Sequence, residues 1–276
     1  MGTDIDIVIS GGSVEGLCDA AGFIKALTKD LNFTIKTAAA SSAGAIVLGA
    51  LSAGRTIDEI EDIILNVKFT NWVSIPKWYN VIKICKAIKN GYLSDGESLY
   101  SYLSWLTKNK TFNEGLIELH VSGTDVNNGI ARDFNSINDK DMTIATALRI
   151  SSSVPGCFKP QTYDGKQWFD GSIRSHYPVE MVPMSDRPLY GFVASHFNTI
   201  KEQRIRSMSG FFGTIMKLID NSLDINVRYS STMAKRQPHT VYHTGNISHG
   251  WSISKEDRKK LIENARISTI RSIGSI

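Results

Sequence analysis

Apolar and polar positions divide the first fifty residues into a repeated strand, turn and helix. Ile5, Ile7 and Ile9 lie in a short apolar stretch that stops at Ser10-Gly11-Gly12, the signature of a buried strand entering a tight turn. Helical spacing follows from Leu17 to Thr28. A second strand-like run, Phe33 to Ala39, leads through Ser41-Ser42-Ala43-Gly44 into the Ala-rich segment Ala45 to Leu51, read as a buried helix. Ile57 to Val67 has helical periodicity with Thr56 as its N-cap, and a further helix runs from Gly96 through Leu106. Strands are expected at Ile117 to Ser122 and Ile130 to Phe134, joined by the turn Val126-Asn127-Asn128-Gly129. A helix over Asp141 to Ile150, a strand over Leu189 to Ser195, and helices over Phe211 to Val227 and Ser254 to Ile270 complete the pattern. Ser254 and Asp257 have capping-box spacing.

This order predicts an α/β protein with three α/β/α layers and a mainly parallel central sheet. With 276 residues and 42% apolar content the chain can bury one large core, and a single domain is expected over 1–276. Its motif-bearing part is about 5–195 and its basic helical part 200–276. The formal charge of +4 is unevenly spread: residues 201–276 carry 13 Lys and Arg against 6 Asp and Glu. A basic end suits anionic lipid headgroups or nucleic acid, and more often a solvated face. The segment Phe69 to Ile88, with Trp72, Trp78 and Tyr79 around Pro76 and interleaved lysines, reads as a lid or interfacial surface or as aromatic packing on the core.

Three cysteines, Cys18, Cys85 and Cys157, form no CxxC pair, so neither a disulfide framework nor a metal site is expected. Acidic residues stand where a signal peptide carries Lys or Arg, and no uninterrupted apolar run reaches membrane-spanning length. A cytoplasmic or peripheral membrane location is expected.

Three local features bear on chemistry. Ala40-Ser41-Ser42-Ala43-Gly44, between a strand and a helix, is a variant of the G-x-S-x-G elbow, whose small flanking residues let strand and helix nearly touch. By itself it also fits a serine capping a helix. Ser10-Gly11-Gly12-Ser13-Val14-Glu15-Gly16 is a glycine-rich turn able to aim several N–H groups at one point, and it lacks the spacing of a nucleotide loop. Trp168-Phe169-Asp170-Gly171-Ser172 delivers an acid to a turn, where a partly desolvated carboxylate can act as a base.

Together, and in this order, the three resemble the patatin-like phospholipase family, with its G-G-G-x-R/K-G oxyanion loop, G-x-S-x-G elbow and D-G-G/A motif. The resemblance extends through Gly91 to Gly96, Ser122 to Asp125, Ala147 to Pro155 and Tyr177-Pro178-Val179. It implies that Ser42 attacks a fatty-acyl ester, that Asp170 takes and returns the proton, and that N–H groups around Gly11, Gly12, Ser13 and Ala43 hold the oxyanion. Ala40 and Gly44 shape the elbow. A phospholipid or other acyl lipid is the implied substrate, with peripheral contact to a membrane surface, no cofactor, no metal and no nucleic acid. The chain departs from the pattern at Glu15, where Arg or Lys is usual, at Ser13 and Ala40 in place of glycines, at Ser172 in place of Gly or Ala, and at His176 in place of Asn. Arg174 is a candidate headgroup contact that would compensate for Glu15. A catalytically silent binding protein and a Ser–Asp–His esterase using His196, His239, His243 or His249 are the alternatives.

Overall fold

The computed structural model describes residues 2–73, 89–194, 227, 232, 234–243 and 252–274. Strands β1 (Thr3–Ile9) and β2 (Phe33–Ala40) are each followed by a helix, α1 (Ser13–Lys25) and α2 (Ser42–Ser52). Helix α3 (Ile57–Asn66) starts at a complete capping box: Thr56 accepts from the Glu59 N–H and Glu59 reaches back to the Thr56 N–H. After it come α4 (Glu97–Leu106), the hairpin β3 (Glu118–Asp125) and β4 (Ile130–Asn135), and α5 (Ile144–Ser151). The short hairpin β5 (Gln161–Tyr163) and β6 (Lys166–Asp170), then β7 (Leu189–Ala194), β8 (His239–His243) and α6 (Lys255–Ile273), complete the described chain.

The sheet is mainly parallel. β8, β7, β1, β2 and β3 run parallel in that spatial order, while β4 and β6 pair antiparallel to β3, and β5 to β6. A strand has two edges, and β4 occupies one edge of β3 from His120 to Asp125. β2 and β6 therefore share the other edge, β2 opposite residues 118–121 and β6 opposite 123–125. Where β2 leaves that edge at Ala40, opposite Val121, β6 takes it over with Asp170 opposite Gly123.

Alternation along the strands sorts the core into two faces. Ile5, Ile7 and Ile9 of β1 join the large cluster with residues of α1 to α6, whereas Val8 and Ala39 meet Tyr177, Val179, Val182 and Val227 on the opposite face. The fold is the three-layer α/β/α arrangement expected from the pattern. Helix α6 packs on α1 through Leu261, Ile262 and Ala265, and its Arg258 caps α3 by donating to the carbonyls of Ile64 and Val67.

Most expected elements lie within a few residues of their predicted bounds. The strands β5, β6 and β8 were not expected. Phe69 and Trp72 are buried in the core, ring against ring and with Trp72 on Tyr102. The rest of the lid segment, from 74 to 88, and nearly all of the helix expected over Phe211 to Val227, lie outside the described residues. Among the described residues no helix is long and apolar enough to cross a membrane.

Candidate active site

Ser42 opens α2 at the second position past the end of β2, with φ at +47°. That left-handed value is costly for a residue with a side chain and marks a sharp strand-to-helix turn. The turn demands close contact behind it: a Cβ on Gly44 would stand 2.5 Å from the Ser10 carbonyl oxygen and 2.8 Å from Ile9 Cγ2. Ala40 is fully buried. The Ser42 N–H is donated to Ser151 Oγ at the end of α5, at 2.9 Å.

Asp170 ends β6 and is buried. Ser42 Oγ donates to Asp170 Oδ2 at 2.7 Å, and the Ser172 N–H donates to Asp170 Oδ1 at 2.8 Å. Burial pushes the Asp170 carboxyl up to about 6, and the hydrogen bonds from Ser42 and Ser172 oppose part of that rise. The carboxylate is therefore charged at neutral pH and still able to take a proton. Gly171 must be glycine here, because a Cβ would lie 2.1 Å from the Ser122 carbonyl oxygen.

The glycine-rich turn lies between β1 and α1. Ser13 has φ at +58°, the conformation a glycine would adopt without cost. The Gly11 N–H is donated to the His176 carbonyl at 3.2 Å, which corrects the expectation that it is available to an oxyanion. Among the described residues no hydrogen bond engages the N–H groups of Gly12 and Ser13. Those groups and Ala43 at the start of α2 remain as donors, each beside a helix N-terminus.

No imidazole among the described residues bonds to Ser42 or Asp170. His239 pairs with Ser272, and His243 ends β8. His196 and His249 lie outside the described residues. Arg174 is exposed, four residues beyond Asp170. Glu15 is buried within α1. Nor does any group of three His, Cys, Asp or Glu side chains among the described residues gather to hold a metal ion.

Sequence reasoning missed four contributors. Ser151 holds the nucleophile's N–H, and the Ser153 carbonyl accepts the Asp170 N–H at 3.1 Å. Arg149 is fully buried and donates to Ser153 Oγ and to the carbonyls of Asp95, Gly96 and Lys159, fixing the loop that carries Ser153. His176 supplies the carbonyl that meets Gly11. A charged residue inside the apolar helical stretch Ile144–Ser151 was the available signal for Arg149.

Comparison with known proteins gives the family and the fold. The sequence model of the patatin-like phospholipase family matches residues 7–183. The uncharacterized protein YqhO of Bacillus subtilis is 25% identical over 255 residues, covering 80% of this chain and 81% of YqhO. The probable lipid hydrolase 463L of Invertebrate iridescent virus 6 is 26% identical over 190 residues, 63% of this chain and 62% of the viral protein. In fold, the chain is similar to VipD from Legionella pneumophila, with a TM-score of 0.53 and 16% identity over 98% of this chain and 67% of VipD. The type III effector ExoU gives a TM-score of 0.54 and 15% identity over 99% of this chain and 53% of ExoU. The chain thus spans about three fifths of the viral relative's length and half of the effector's.

Proposed function

This chain belongs to the patatin-like phospholipase family, and on that premise we propose that it hydrolyses fatty-acyl esters of glycerophospholipids or related acyl lipids, with Ser42 as nucleophile and Asp170 as base. The observation that carries the reading is the 2.7 Å hydrogen bond from Ser42 Oγ to a buried carboxylate, at a positive-φ serine within the matched residues.

In the reaction, Ser42 Oγ attacks the ester carbonyl carbon as its proton passes to Asp170 Oδ2. The carbonyl oxygen becomes an oxyanion, and the N–H groups of Gly12, Ser13 and Ala43 stabilise it at the positive ends of α1 and α2. Collapse breaks the ester C–O bond and Asp170 returns its proton to the leaving alcohol. Water, deprotonated by Asp170, then attacks the acyl-enzyme, releasing the fatty acid and restoring Ser42. The Ser172 N–H holds Asp170 with one oxygen facing Ser42 throughout. Arg174, exposed just beyond the base, is proposed to meet an anionic headgroup, supplying the cation that is lost with Glu15 in place of Arg or Lys.

A panel of phospholipids, lysophospholipids and neutral glycerides assayed with wild type, Ser42→Ala and Asp170→Ala tests the reading. Each variant should lose at least about a thousandfold in kcat, and a fluorophosphonate ester probe should label wild type at Ser42 alone. Turnover that survives Ser42→Ala would overturn it. Arg174→Glu should selectively lower turnover of anionic lipids, and an unchanged preference would remove Arg174 from the headgroup site.

A further inference from the structure

Beneath the dyad, a second set of buried groups joins the three motif segments. Ser172 Oγ donates to Ser41 Oγ at 3.1 Å, and Ser41 Oγ donates to the His176 carbonyl at 2.6 Å. The same carbonyl accepts the Gly11 N–H. Ser172 also gives its N–H to Asp170, so one residue touches both the carboxylate and the residue preceding Ser42. The packing is close: a Cβ on Gly11 would lie 2.3 Å from Ser172 Oγ and 3.1 Å from His176 Cε1. Ser41, Ser172 and His176 are all buried, and among the described residues the His176 Nδ1 has no hydrogen-bond partner. The imidazole therefore packs under the glycine turn as a neutral ring, while its backbone does the bonding.

We infer that Ser41, Ser172 and the His176 carbonyl form a positioning network that holds the glycine-rich loop at a set distance from the nucleophile. The direction of the bonds supports this. Each hydroxyl has one proton, and both protons are spent along the line from Ser172 to Ser41 to the carbonyl, where the Gly11 N–H also ends. The network therefore couples β6, β2 and the loop after β1, three segments far apart in sequence. Its effect would be on transition-state geometry: Gly12 and Ser13 follow directly from Gly11, and a displacement of the loop moves their N–H groups relative to Ser42. Misplacement of about 1 Å costs up to about a hundredfold in rate. Two members, Ser172 and His176, stand where this chain departs from the residues usual in its family. Substituting the family's usual Gly or Ala at 172 should therefore impair this protein.

The inference rests on the hydrolase reading for its kinetic arm and has a second arm that does not. Ser172→Ala, Ser172→Gly and Ser41→Ala should each lower kcat about tenfold with KM changed less than about twofold, since the displaced donors act in the transition state alone. Fluorophosphonate labelling of Ser42 should slow by the same factor. The Ser41→Ala, Ser172→Ala double variant should be no slower than the worse single, as expected for members of one network. Independently of turnover, hydrogen–deuterium exchange over residues 10–16 should quicken in each single variant and stay unchanged over β7. Wild-type exchange in all three variants, or kinetic losses that add fully in the double variant, would overturn the network. If wild type neither turns over lipid nor reacts with the probe, the hydrolase reading fails, and the exchange comparison still decides whether the network holds the loop.

Discussion

Replacing Asp170 by Asn should make the protein more stable at pH 8 while abolishing turnover. Burial raises this carboxyl from an ordinary 3.8 to about 6. Well below pH 3.8, the acid is neutral in both folded and unfolded chains. As pH rises towards 6, the unfolded chain loses its proton first, so folding must hold a proton that the unfolded state has released. Stability falls through this window, by about 3 kcal/mol in total for a pKa rise of this size. Asn is neutral at every pH and nearly the same shape. Its Oδ1 can accept the Ser172 N–H, and its Nδ2 can donate to Ser42 Oγ, so both contacts persist with weaker partners. Allowing about 1 kcal/mol for exchanging charged for neutral hydrogen bonds, the variant should gain about 2 kcal/mol at pH 8, or about 4–6 °C in Tm for a chain of this length. Near pH 4 the gain should vanish. Urea unfolding at both pH values, followed by far-UV circular dichroism, measures the difference directly. A variant no more stable than wild type at pH 8, or equally favoured at pH 4, would refute the claim that this carboxylate is charged at a desolvation cost.

The same titration governs activity with the opposite sign. Because the base must be deprotonated, kcat/KM on a soluble ester should rise with pH through a midpoint near 6 and fall about tenfold per pH unit below about 5; a profile flat from pH 5 to 7 would contradict it. Ser13→Gly should relieve the left-handed backbone at position 13. The gain should be about 0.5–1 kcal/mol after the greater unfolded-state freedom of glycine is set against it, read as a rise of about 2 °C in Tm. Arg149→Met should cost about 3 kcal/mol, since it leaves the carbonyls of Gly96, Asp95 and Lys159 without their charged donor in a buried site. The urea midpoint should fall with the slope unchanged.

The described helices and the parallel strands β1, β2, β3 and β7 were legible because their cores read as periodic apolar runs with recognisable caps, as at Thr56 and Ser254. The hairpin β5 and β6 escaped because only Trp168 and Asp170 of β6 are buried, and an acid closing a strand resembles a turn. β8 carries His239, Thr240 and His243 around Val241 and has no local apolar signature. Its pairing with β7 supplies what its sequence lacks. At the site, Ser42, Gly44 and the Asp170-Gly171 step stood out because each has a steric or conformational demand visible in residue type. Ser151 and the carbonyls of Ser153 and His176 contribute backbone or hydroxyl contacts that any of several residues can make, and no residue type announces them. The assignment of Gly11 as an oxyanion donor failed for the same reason. Where a backbone N–H is spent depends on a carbonyl 165 positions away.

The meeting of Ser42 with Asp170 is a consequence of strand register. Ala40 is opposite Val121, so the edge of β3 opposite Gly123 lies two residues further along, the level at which Ser42 follows β2. β6 enters that vacated edge from the other direction and brings Asp170 to the same level, on the face that also buries Trp168. A slip of one residue would turn Asp170 to the opposite face and lose the hydrogen bond entirely. The register is held by groups away from the dyad. Thr124 Oγ1 donates to the Asp170 carbonyl at 2.8 Å, and Trp168 Nε1 donates to the Tyr163 carbonyl with its ring edge-on to Phe134. Gly171 leaves no room against Ser122 for any larger residue. The reach of the carboxylate to the serine is therefore set by the shared edge of β3, and the two residues need no contact of their own to be brought together.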